Sequence, residues 1–357
     1  MLFKSKVVVI TGGGSGMGRS IAVKLAQEGA LLAICDVDES GMEESAALAR
    51  KANPKVTLKT YVVDVCDQEG VKAFAIQVSK DFDNKVHGLF ANAGISGAGE
   101  LIHLDKSLDE VQQMEDSWDR CFNVDFFGVL YSLRAFVPLI VKQDEGHIIV
   151  TSSVNGFWSW PNHGSYTAAK FGVRGLAESL LMETYVKAPH VHVTCVHPGG
   201  IQTSIAKNSL EKGYAHQTSP EISSKVASTF LEGADLSSDE AADWILNGVR
   251  RNDTRILVGY DAMCLDAMSR MDPHKSYDLW KALGKEGVVS LNPTQATQAI
   301  QQIKNISILG WLRIAFGGGL RFAVYLMPFV MMKLRRYPIA LAAIASAFGY
   351  KLLKSKI

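Results

Sequence analysis

The stretch Thr11-Gly-Gly-Gly-Ser-Gly-Met-Gly18 joins an apolar run, Val7–Ile10, to a segment with helical patterning. Glycine permits positive φ angles and close backbone approach to a ligand, and a helix N-terminus attracts an anion. Such a turn alone is a weak signal, but a strand before it and a helix after it favour a dinucleotide pyrophosphate site. The residues expected to contact this ligand are Gly12, Ser15, Gly16, Met17 and Gly18.

Outward from this turn, short apolar runs alternate with amphipathic, helix-length segments up to about residue 260. This alternation predicts an α/β fold, a doubly wound parallel sheet with helices on both faces. The predicted strands are Lys6–Ile10, Leu31–Cys35, Thr57–Val62, Gly88–Ala91, His147–Thr151, His192–Val196 and Arg255–Val258. The main predicted helices are Gly18–Gln27, ended by Gly29, Tyr166–Tyr185, and one that begins with the capping box Ser237–Glu240.

Asp36 follows the second predicted strand, eighteen residues after Gly18. A carboxylate there accepts hydrogen bonds from ribose hydroxyls and repels a 2′-phosphate. Val37 follows it, and Ser15 rather than a basic residue precedes Gly16. NAD is therefore expected as the cofactor in preference to NADP. Arg19 is the nearest cation, and we expect it to point into solvent, although it keeps NADP as an alternative.

Tyr166 and Lys170 are four residues apart on a predicted helix, and Ser153 lies thirteen residues upstream of Tyr166. Positions i and i+4 share one helix face, and a cation beside a phenol favours the phenolate. Tyr166 is thus a candidate base for an alcohol proton, with its pKa lowered from about 10 by Lys170. Ser153 would hydrogen-bond the substrate oxygen. Together with a nucleotide site, this set predicts hydride transfer between an alcohol and a carbonyl.

The order of the motifs resembles that of the short-chain dehydrogenases/reductases. The resemblance covers roughly residues 5–260 and rests on the glycine turn, Asp64-Val65, Asn92-Ala93-Gly94, Ser153, Tyr166-x-x-x-Lys170 and Pro198-Gly199. It implies a seven-stranded Rossmann-type sheet, a nicotinamide cofactor and a homo-oligomer. It also implies that Lys170 binds the nicotinamide ribose. Further implied cofactor contacts are Asp64 and Val65 at the adenine, Asn92, Ala93 and Gly94 at the central strand, and Pro198, Gly199, Ile201 and Thr203 at the carboxamide end, besides Tyr166 and Lys170 themselves.

One position departs from the family pattern. Members commonly carry an Asn in an Asn-x-x-Gly context, completing a tetrad with a relay water, and Asp125 stands there before Phe126-Phe-Gly128. If the role depends on backbone geometry around a water, Asp125 can serve as the fourth catalytic residue. If it depends on a side-chain amide, the relay is altered. Asn123, two positions away, is the lesser alternative.

Other residues near these motifs carry weaker signals. His197 ends a buried strand and is interpreted as a core histidine rather than an acid or base. Phe157, Trp158 and Trp160 lie between Ser153 and Tyr166, where they would line an apolar substrate pocket or simply pack in the core. The long connections 95–117 and 200–236 follow strand ends and are predicted to form walls or a lid of the substrate site.

The C-terminal part differs in composition from the rest. Residues 287–357 contain nine Lys or Arg and no Asp or Glu, which leaves 28 basic and 36 acidic residues before them. The division predicted is a dehydrogenase domain at 1–260, a bridge at 261–306 and an apolar basic extension at 307–357. Its apolar runs, Phe322–Met332 and Ile339–Tyr350, are shorter than the ~20 residues of a membrane span. An in-plane membrane anchor is favoured over packing against the chain's own domain or a second subunit.

Composition and the N-terminal sequence bear on the role of the cysteines, the location of the protein and the binding of nucleic acid. The five cysteines are scattered without metal-ligand spacing, so they are interpreted as core thiols, and no metal is expected. Met1–Lys6 leaves no room for a signal peptide before the first strand, so we expect a cytoplasmic protein or one at the cytoplasmic face of a membrane. The acidic body argues against nucleic acid. The predicted function is NAD(P)-dependent oxidation or reduction of a hydrophobic, lipid-derived substrate; the alternative is a non-catalytic nucleotide-binding sensor or scaffold.

Overall fold

The computed structural model describes residues 3–97, 101, 106–159, 163–203, 205, 234 and 236–271. Trp160, most of the predicted connection 200–236, and the bridge and extension beyond Met271 lie outside the described residues. The chain divides into two compact units, Met1–Gly259 and Tyr260–Ile357. The first unit contains every candidate site residue.

Seven parallel strands form the central sheet in the order β3-β2-β1-β4-β5-β6-β9. Their bounds are β1 Val7–Thr11, β2 Leu31–Asp36, β3 Leu58–Val62, β4 Gly88–Ala91, β5 Gly146–Thr151, β6 Val191–Pro198 and β9 Arg255–Val258. A separate two-stranded pair joins β7 Ile201–Gln202 to β8 Leu236–Ser237. All seven predicted strands are present, each within two residues of its expected bounds, so the predicted doubly wound Rossmann-type sheet is confirmed.

Helices follow the strands in turn. In chain order they are α1 Gly16–Glu28, α2 Glu39–Ala52, α3 Gln68–Asp81, α4 Leu108–Phe122, α5 Gly128–Ile140, α6 Gly164–Lys187, α7 Ser238–Arg250 and, in the second unit, α8 Tyr260–Met271. A π-helical turn, Asn123–Phe127, joins α4 to α5, and a 3₁₀ turn, Val154–Gly156, follows β5. Gly29 ends α1 at φ 86°, and Ser237 and Glu240 form the predicted capping box of α7.

The sheet buries both of its faces, which explains why its strands are nearly continuous runs of apolar residues. On one face, Ile10 and Ile34 pack with Leu25 of α1 and Ile245 of α7. On the other face, Val9, Leu89 and Ile148 pack with residues of α3, α5 and α6, including Phe74, Phe136 and Val173. The sheet is therefore a rigid support for the loops at its carboxyl edge.

The strand order reverses between β1 and β4, because β2 and β3 lie on one side of β1 and the later strands on the other. In open parallel sheets a crevice for ligands forms beyond the carboxyl ends of the strands at this point. The glycine turn follows β1 and Asn92 follows β4, so both reach this crevice. The topology of the sheet alone therefore places the candidate site at this crevice.

The connection predicted at 95–117 is shorter in the structure, because α4 begins at Leu108. Ser107 and Glu110 form a capping box there, a signal that the sequence interpretation missed. Among the described residues, the helical stretch Leu108–Ile140 has the length and apolar composition of a membrane span, but 44% of its most apolar window is buried inside the protein. Because α5 packs on the sheet, core packing accounts for that composition.

Candidate active site

The glycine turn is held in a shape that side chains would disturb. Gly12 has φ 69°, and a Cβ on it would lie 2.8 Å from the Ala93 Cα. A Cβ on Gly18 would overlap the Gly12 carbonyl oxygen, so α1 can begin this close to β1 only with glycine there. The first-turn N–H groups of α1 therefore reach the crevice, where such groups bind phosphate oxygens.

Asn92 fastens this turn to the neighbouring strands. Its Nδ2 donates to the carbonyl oxygens of Thr11 at 3.3 Å and Gly12 at 3.4 Å. The backbone N–H groups of Asn92 and Ala93 donate to Thr11 Oγ1 at 3.0 and 3.1 Å. Asn92 Oδ1 accepts from Thr151 Oγ1 at 3.5 Å. These bonds link β1, β4 and β5 at the crevice and fix the floor on which a ligand would lie.

Asp36 lies beside the glycine turn with its carboxylate held by peptide donors. Its Oδ2 accepts from the Gly14 N–H at 2.9 Å and its Oδ1 from the Asp38 N–H at 3.1 Å. A carboxylate has more lone pairs than these two bonds occupy, and Asp36 is only partly buried. It therefore keeps acceptor capacity for hydroxyl groups of a ligand in the crevice.

The expectation that Arg19 points into solvent is wrong. Its Nη2 donates to the Gly14 carbonyl oxygen at 2.5 Å and lies 2.9 Å from Glu44 Oε2, while its Nε donates to Ser45 Oγ at 3.0 Å. The side chain thus clamps the glycine turn to α2. Sequence alone did not indicate this, because α2 supplies both Ser45 and Glu44.

Most of the predicted cofactor residues line a single cleft. It is bordered by Gly12, Ser15, Gly16, Met17, Asp36, Asp64, Val65, Asn92, Ala93, Gly94 and Thr203, together with Val37, Val63, Ile95, Arg120, Val124 and Ile205, which were not predicted. Six predicted cofactor residues do not border it, two of which, Tyr166 and Lys170, are described below. Gly18 lies beneath the turn, Pro198 pairs with Val258, the Gly199 N–H donates to the Val258 carbonyl oxygen, and Ile201 is buried beside Leu236.

Asp64 and Val65 support one wall of this cleft. Asp64 Oδ1 accepts from the Cys66 N–H at 2.9 Å, and its Oδ2 lies 3.8 Å from Arg120 Nη2. Val65 packs against Gly128, where a Cβ would approach the valine side chain to 2.7 Å. The wall therefore joins the segment after β3 to the start of α5.

Ser153, Tyr166 and Lys170 come together at the carboxyl end of β5. The Ser153 and Tyr166 side chains are hydrogen-bonded, and Lys170 Nζ lies 5.4 Å from the centre of the Tyr166 ring. Lys170 is almost fully buried, and its Nζ donates to the Thr151 carbonyl oxygen at 3.3 Å. The two residues on α6 thus share one helix face, and both approach the serine that follows β5.

The electrostatics of Tyr166 are less simple than the sequence suggested. Burial raises the pKa of its phenol above the usual value; the Lys170 ammonium opposes this rise and the Asp125 carboxylate adds to it. The expected effect of Lys170 on the Tyr166 pKa is therefore present, but it does not prevail. The spacing argument left out two contributions to the Tyr166 pKa, burial, which is the larger, and the negative charge of Asp125.

Asp125 lies in the π-helical turn and is completely buried. Its Oδ1 is 2.8 Å from Lys170 Nζ, and its Oδ2 accepts from the Ile95 N–H at 3.3 Å. Asn123 is exposed, so Asp125 is the residue of this turn that reaches the Ser153, Tyr166 and Lys170 cluster. Cys121 Sγ also donates to Asp125 Oδ2 at 3.6 Å, a contact that the i, i+4 spacing of the two residues could have indicated.

His197 is buried behind Ser153, with Nδ1 donating to the Ser153 carbonyl oxygen across 2.8 Å. Burial lowers the pKa of its imidazole to about 4, so it is neutral near pH 7. Phe157 packs on His197 and, like Trp158, is buried. These contacts fit core packing, the second of the two interpretations left open for the aromatic residues, and Trp160 lies outside the described residues.

The four cysteines whose side chains the structure describes, Cys35, Cys66, Cys121 and Cys195, are free thiols. Burial raises the pKa of each thiol, which makes them poor nucleophiles near neutral pH. In the described part of the chain, no cluster of His, Cys, Asp or Glu has the composition of a metal site. Within the described residues, neither a reactive thiol nor a metal-type cluster therefore accompanies Ser153, Tyr166, Lys170 and Asp125.

The sequence and the fold of this chain are both similar to those of known oxidoreductases. A family model described as short chain dehydrogenase covers residues 6–213. SadH of Mycobacterium tuberculosis, an oxidoreductase by name, is 39% identical over 271 residues, 75% of this chain and 91% of that protein. Human epidermal retinol dehydrogenase 2 is 33% identical over 201 residues, 56% of this chain and 62% of that protein. A short-chain dehydrogenase/reductase from Burkholderia phymatum, solved with NAD, superposes with TM-score 0.67 at 27% identity, covering 76% of this chain and 95% of that one.

Proposed function

The chain belongs to the short-chain dehydrogenase family and is an NAD(P)-dependent oxidoreductase acting on CH–OH groups; on that premise we propose that it interconverts an apolar alcohol and its carbonyl with NAD. The observation that carries the proposal is the cluster of Ser153, Tyr166 and Lys170 beside the cleft. Its three side chains have distinct chemical functions, and each is held by contacts within the fold.

In the oxidative direction, Tyr166 accepts the proton of the substrate hydroxyl as its phenolate. The Ser153 hydroxyl donates a hydrogen bond to the substrate oxygen and stabilises the negative charge that develops there. Lys170 supplies a positive charge that favours the phenolate, and its ammonium also binds ribose hydroxyls. A bound nicotinamide supplies the hydride acceptor. In the reductive direction Tyr166 returns the proton to the carbonyl oxygen.

The preference for NAD rests on Asp36. Its partly exposed carboxylate lies at the end of β2, where two peptide N–H groups fix its orientation. A 2′-phosphate at this place would meet a negative charge, whereas ribose hydroxyls find an acceptor. Arg19 does not offset this charge for a phosphate, because Glu44 and the Gly14 carbonyl oxygen already occupy its guanidinium.

The proposal of an apolar, lipid-derived substrate rests on the lining of the cleft and on one relative. Ile95, Val124 and Ile205 are apolar residues of the cleft. The human relative is named for retinol, an apolar alcohol, but it matches only part of this chain. The buried Phe157 and Trp158 do not contribute to this argument, because core contacts account for them.

Cofactor turnover over a panel of alcohols and aldehydes tests the proposed reaction. Tyr166→Phe removes the proton-accepting oxygen and should lower kcat by about 10²–10⁴-fold, the usual contribution of acid–base catalysis. Tyr185→Phe is the matched control, because Tyr185 lies on the same helix and is 59% exposed. Unchanged kcat in Tyr166→Phe would remove Tyr166 from the mechanism. NADH binding without turnover on any substrate would instead favour a nucleotide-binding sensor or scaffold.

The basic extension supports a second proposal, that the protein is held at the cytoplasmic face of a membrane. The proposal that it is a homo-oligomer rests on the family alone. Residues 307–357 combine apolar runs with eight basic residues and no acidic ones. Positive charge attracts anionic headgroups while apolar side chains enter the interface. Deleting residues 307–357 should move the protein from the membrane pellet to the soluble fraction with cofactor binding intact. A full-length chain that needs no detergent would contradict the anchor.

A further inference from the structure

The Asp125–Lys170 ion pair is the most deeply buried charge pair among the described residues. The exposed fractions of the two side chains are 0% and 3%, and the facing atoms are 2.8 Å apart. Removing two charges from water is costly, so such a pair is retained only where close geometry and further hydrogen bonds compensate. A carboxylate so close to the lysine must change the field that Tyr166 experiences.

The surrounding chain is built to bring these charges together. A Cβ on Gly94 would lie 2.6 Å from Asp125 Oδ1 and 3.3 Å from Lys170 Nζ, so the segment after β4 can cover the pair only with glycine. The Ile95 N–H and the Cys121 thiol both donate to Asp125 Oδ2. The π-helical turn displaces Asp125 from regular α-helical register, a local feature often found at functional sites.

Several elements packed around the Asp125–Lys170 pair contribute titratable groups. Tyr166 accompanies Lys170 on α6, Cys121 lies on α4, Cys66 follows β3, and Cys195 lies on β6. Burial opposes the charge of Lys170, but the Asp125 carboxylate raises the lysine pKa to about 12, which keeps the ammonium charged. Burial raises the pKa of Asp125, and the Lys170 ammonium opposes that rise. Among these groups, Asp125 is the carboxyl that faces Lys170 directly, with its Oδ1 2.8 Å from the lysine Nζ.

We propose that Asp125 is a positioning residue that partly neutralises Lys170 and thereby moves the proton transfer by Tyr166 to higher pH than a neutral residue at position 125 would allow. The inference rests on the proposed function, since it assigns Tyr166 the proton. It adds the sign of the effect: the carboxylate holds Lys170 in place but weakens its influence on the phenol.

The direction follows from the charges. Alcohol oxidation requires the Tyr166 phenolate and is lost as pH falls through its pKa. Carbonyl reduction requires the phenol and is lost as pH rises through the same pKa. Removing the Asp125 charge favours the phenolate, so both limits move to lower pH. A charge within a few ångströms shifts a pKa by about one unit or more.

The decisive variant is Asp125→Asn, which keeps the size of the side chain and an oxygen facing Lys170. The acid limit of kcat/KM for oxidation and the basic limit for reduction should both move down by about one pH unit. Asp119→Asn is the matched control, because it removes an exposed carboxylate on α4 and should move neither limit. A fall in kcat without movement of the two limits, or movement to higher pH, would overturn the proposal.

A second measurement is independent of turnover. Phenolate absorbance is titrated with NAD⁺ present in the wild type and Asp125→Asn, each referred to the same protein carrying Tyr166→Phe. The Tyr166 phenolate should appear at lower pH in Asp125→Asn, by about one unit. Identical titrations in the two proteins, including no ionisation before unfolding in either, overturn the inference even if the enzyme is active. A shifted titration in a protein without turnover upholds it and removes the proposed function instead.

Asp125→Ser provides a further uncharged side chain in case Asp125→Asn does not fold. NADH binding monitored by fluorescence establishes for each variant that the cofactor cleft is intact. The same downward shift is expected with serine as with asparagine, because the removed charge is the same. Opposite shifts in the two variants would show that shape rather than charge acts at position 125, and would overturn the proposal.

Discussion

Asp36 and Asp125 are both carboxylates of the candidate site, but their surroundings differ. Asp36 is partly exposed at the end of β2, and its partners are two peptide N–H groups. Asp125 is completely buried, and its strongest partner is the Lys170 ammonium. A carboxylate that stays accessible can recognise a ligand, whereas a sealed one can act only through its neighbours. The two ends of the site should therefore respond differently to the loss of one charge.

The largest effect is expected at the buried end, in Lys170→Met. This change leaves the Asp125 carboxylate buried without its cation, which typically lowers the free energy of unfolding by about 3–5 kcal/mol. Turnover should also fall by at least about a hundredfold, because the phenolate loses its supporting charge. Urea unfolding and steady-state kinetics measure the two effects.

Lys187→Met is the matched control for that variant. Lys187 Nζ lies 3.4 Å from Glu183 Oε2, and the two side chains are 74% and 57% exposed. Exposed pairs of this kind contribute about 0.5 kcal/mol or less. Equal destabilisation of Lys170→Met and Lys187→Met would show that the buried pair carries no special energy.

A smaller effect on the free energy of unfolding, confined to acid pH, is expected from the protonation of His197, which lies behind Ser153. The pKa of this histidine is lowered to about 4 in the folded state, against about 6.5 in the unfolded chain. The unfolded state therefore binds more protons between these values, so stability is fully present above pH 6.5 and is lost as pH falls to about 4. The full loss amounts to about 3 kcal/mol.

His197→Gln should remove this part of the acid sensitivity. Its free energy of unfolding should decline less steeply than that of the wild type between pH 6.5 and about 4, as measured by urea unfolding at several pH values. His147, whose pKa burial lowers to about 3, acts in the same direction and remains in both proteins. His190→Gln, at an exposed position, should keep the wild-type slope. Parallel declines in wild type and His197→Gln would contradict the assignment.

Sequence reasoning predicted the sheet and the grouping of residues, because both follow from local patterns. Apolar runs predicted the seven strands, and the four-residue spacing of Tyr166 and Lys170 predicted that both lie on one face of α6. Strand ends were displaced by a residue or two. For example, β2 extends through Asp36, where Val62 pairs with it and the Val63 N–H bonds to its carbonyl oxygen.

Two local signals were overlooked, the Ser107–Glu110 capping box and the Cys121–Asp125 contact, but the other features that escaped prediction depend on contacts between distant segments. Arg19 is directed by Glu44 and Ser45 on α2, which no pattern around the glycine turn reveals. Asp125 was placed in the site by its motif, but its effect on Tyr166 requires the π-helical turn and the glycine at position 94 that lets the ion pair form. Residue spacing indicates which residues belong to a site. The direction of a pKa shift, in contrast, can be predicted only when all the nearby charges are known.

The smallest effect is expected at the exposed end, in Asp36→Asn. The wild type should use NAD⁺ better than NADP⁺, because the carboxylate repels a 2′-phosphate. The amide keeps an oxygen that can accept from the Gly14 N–H but removes the negative charge. The ratio of kcat/KM for NAD⁺ to that for NADP⁺ should therefore fall about tenfold, equivalent to about 1.4 kcal/mol.

Glu39→Gln is the matched control, because it tests whether the effect of Asp36→Asn depends on where the charge is lost or only on the loss of one negative charge. Glu39 is an exposed carboxylate in the first turn of α2, three residues from Asp36, so its loss changes the net charge equally. This variant should leave the cofactor ratio and the unfolding free energy near their wild-type values. Because Asp36 is bound by peptide groups rather than by a buried cation, Asp36→Asn should also destabilise the fold far less than Lys170→Met. A wild type that prefers NADP⁺, or an unchanged ratio in Asp36→Asn, would remove Asp36 as the determinant of cofactor choice.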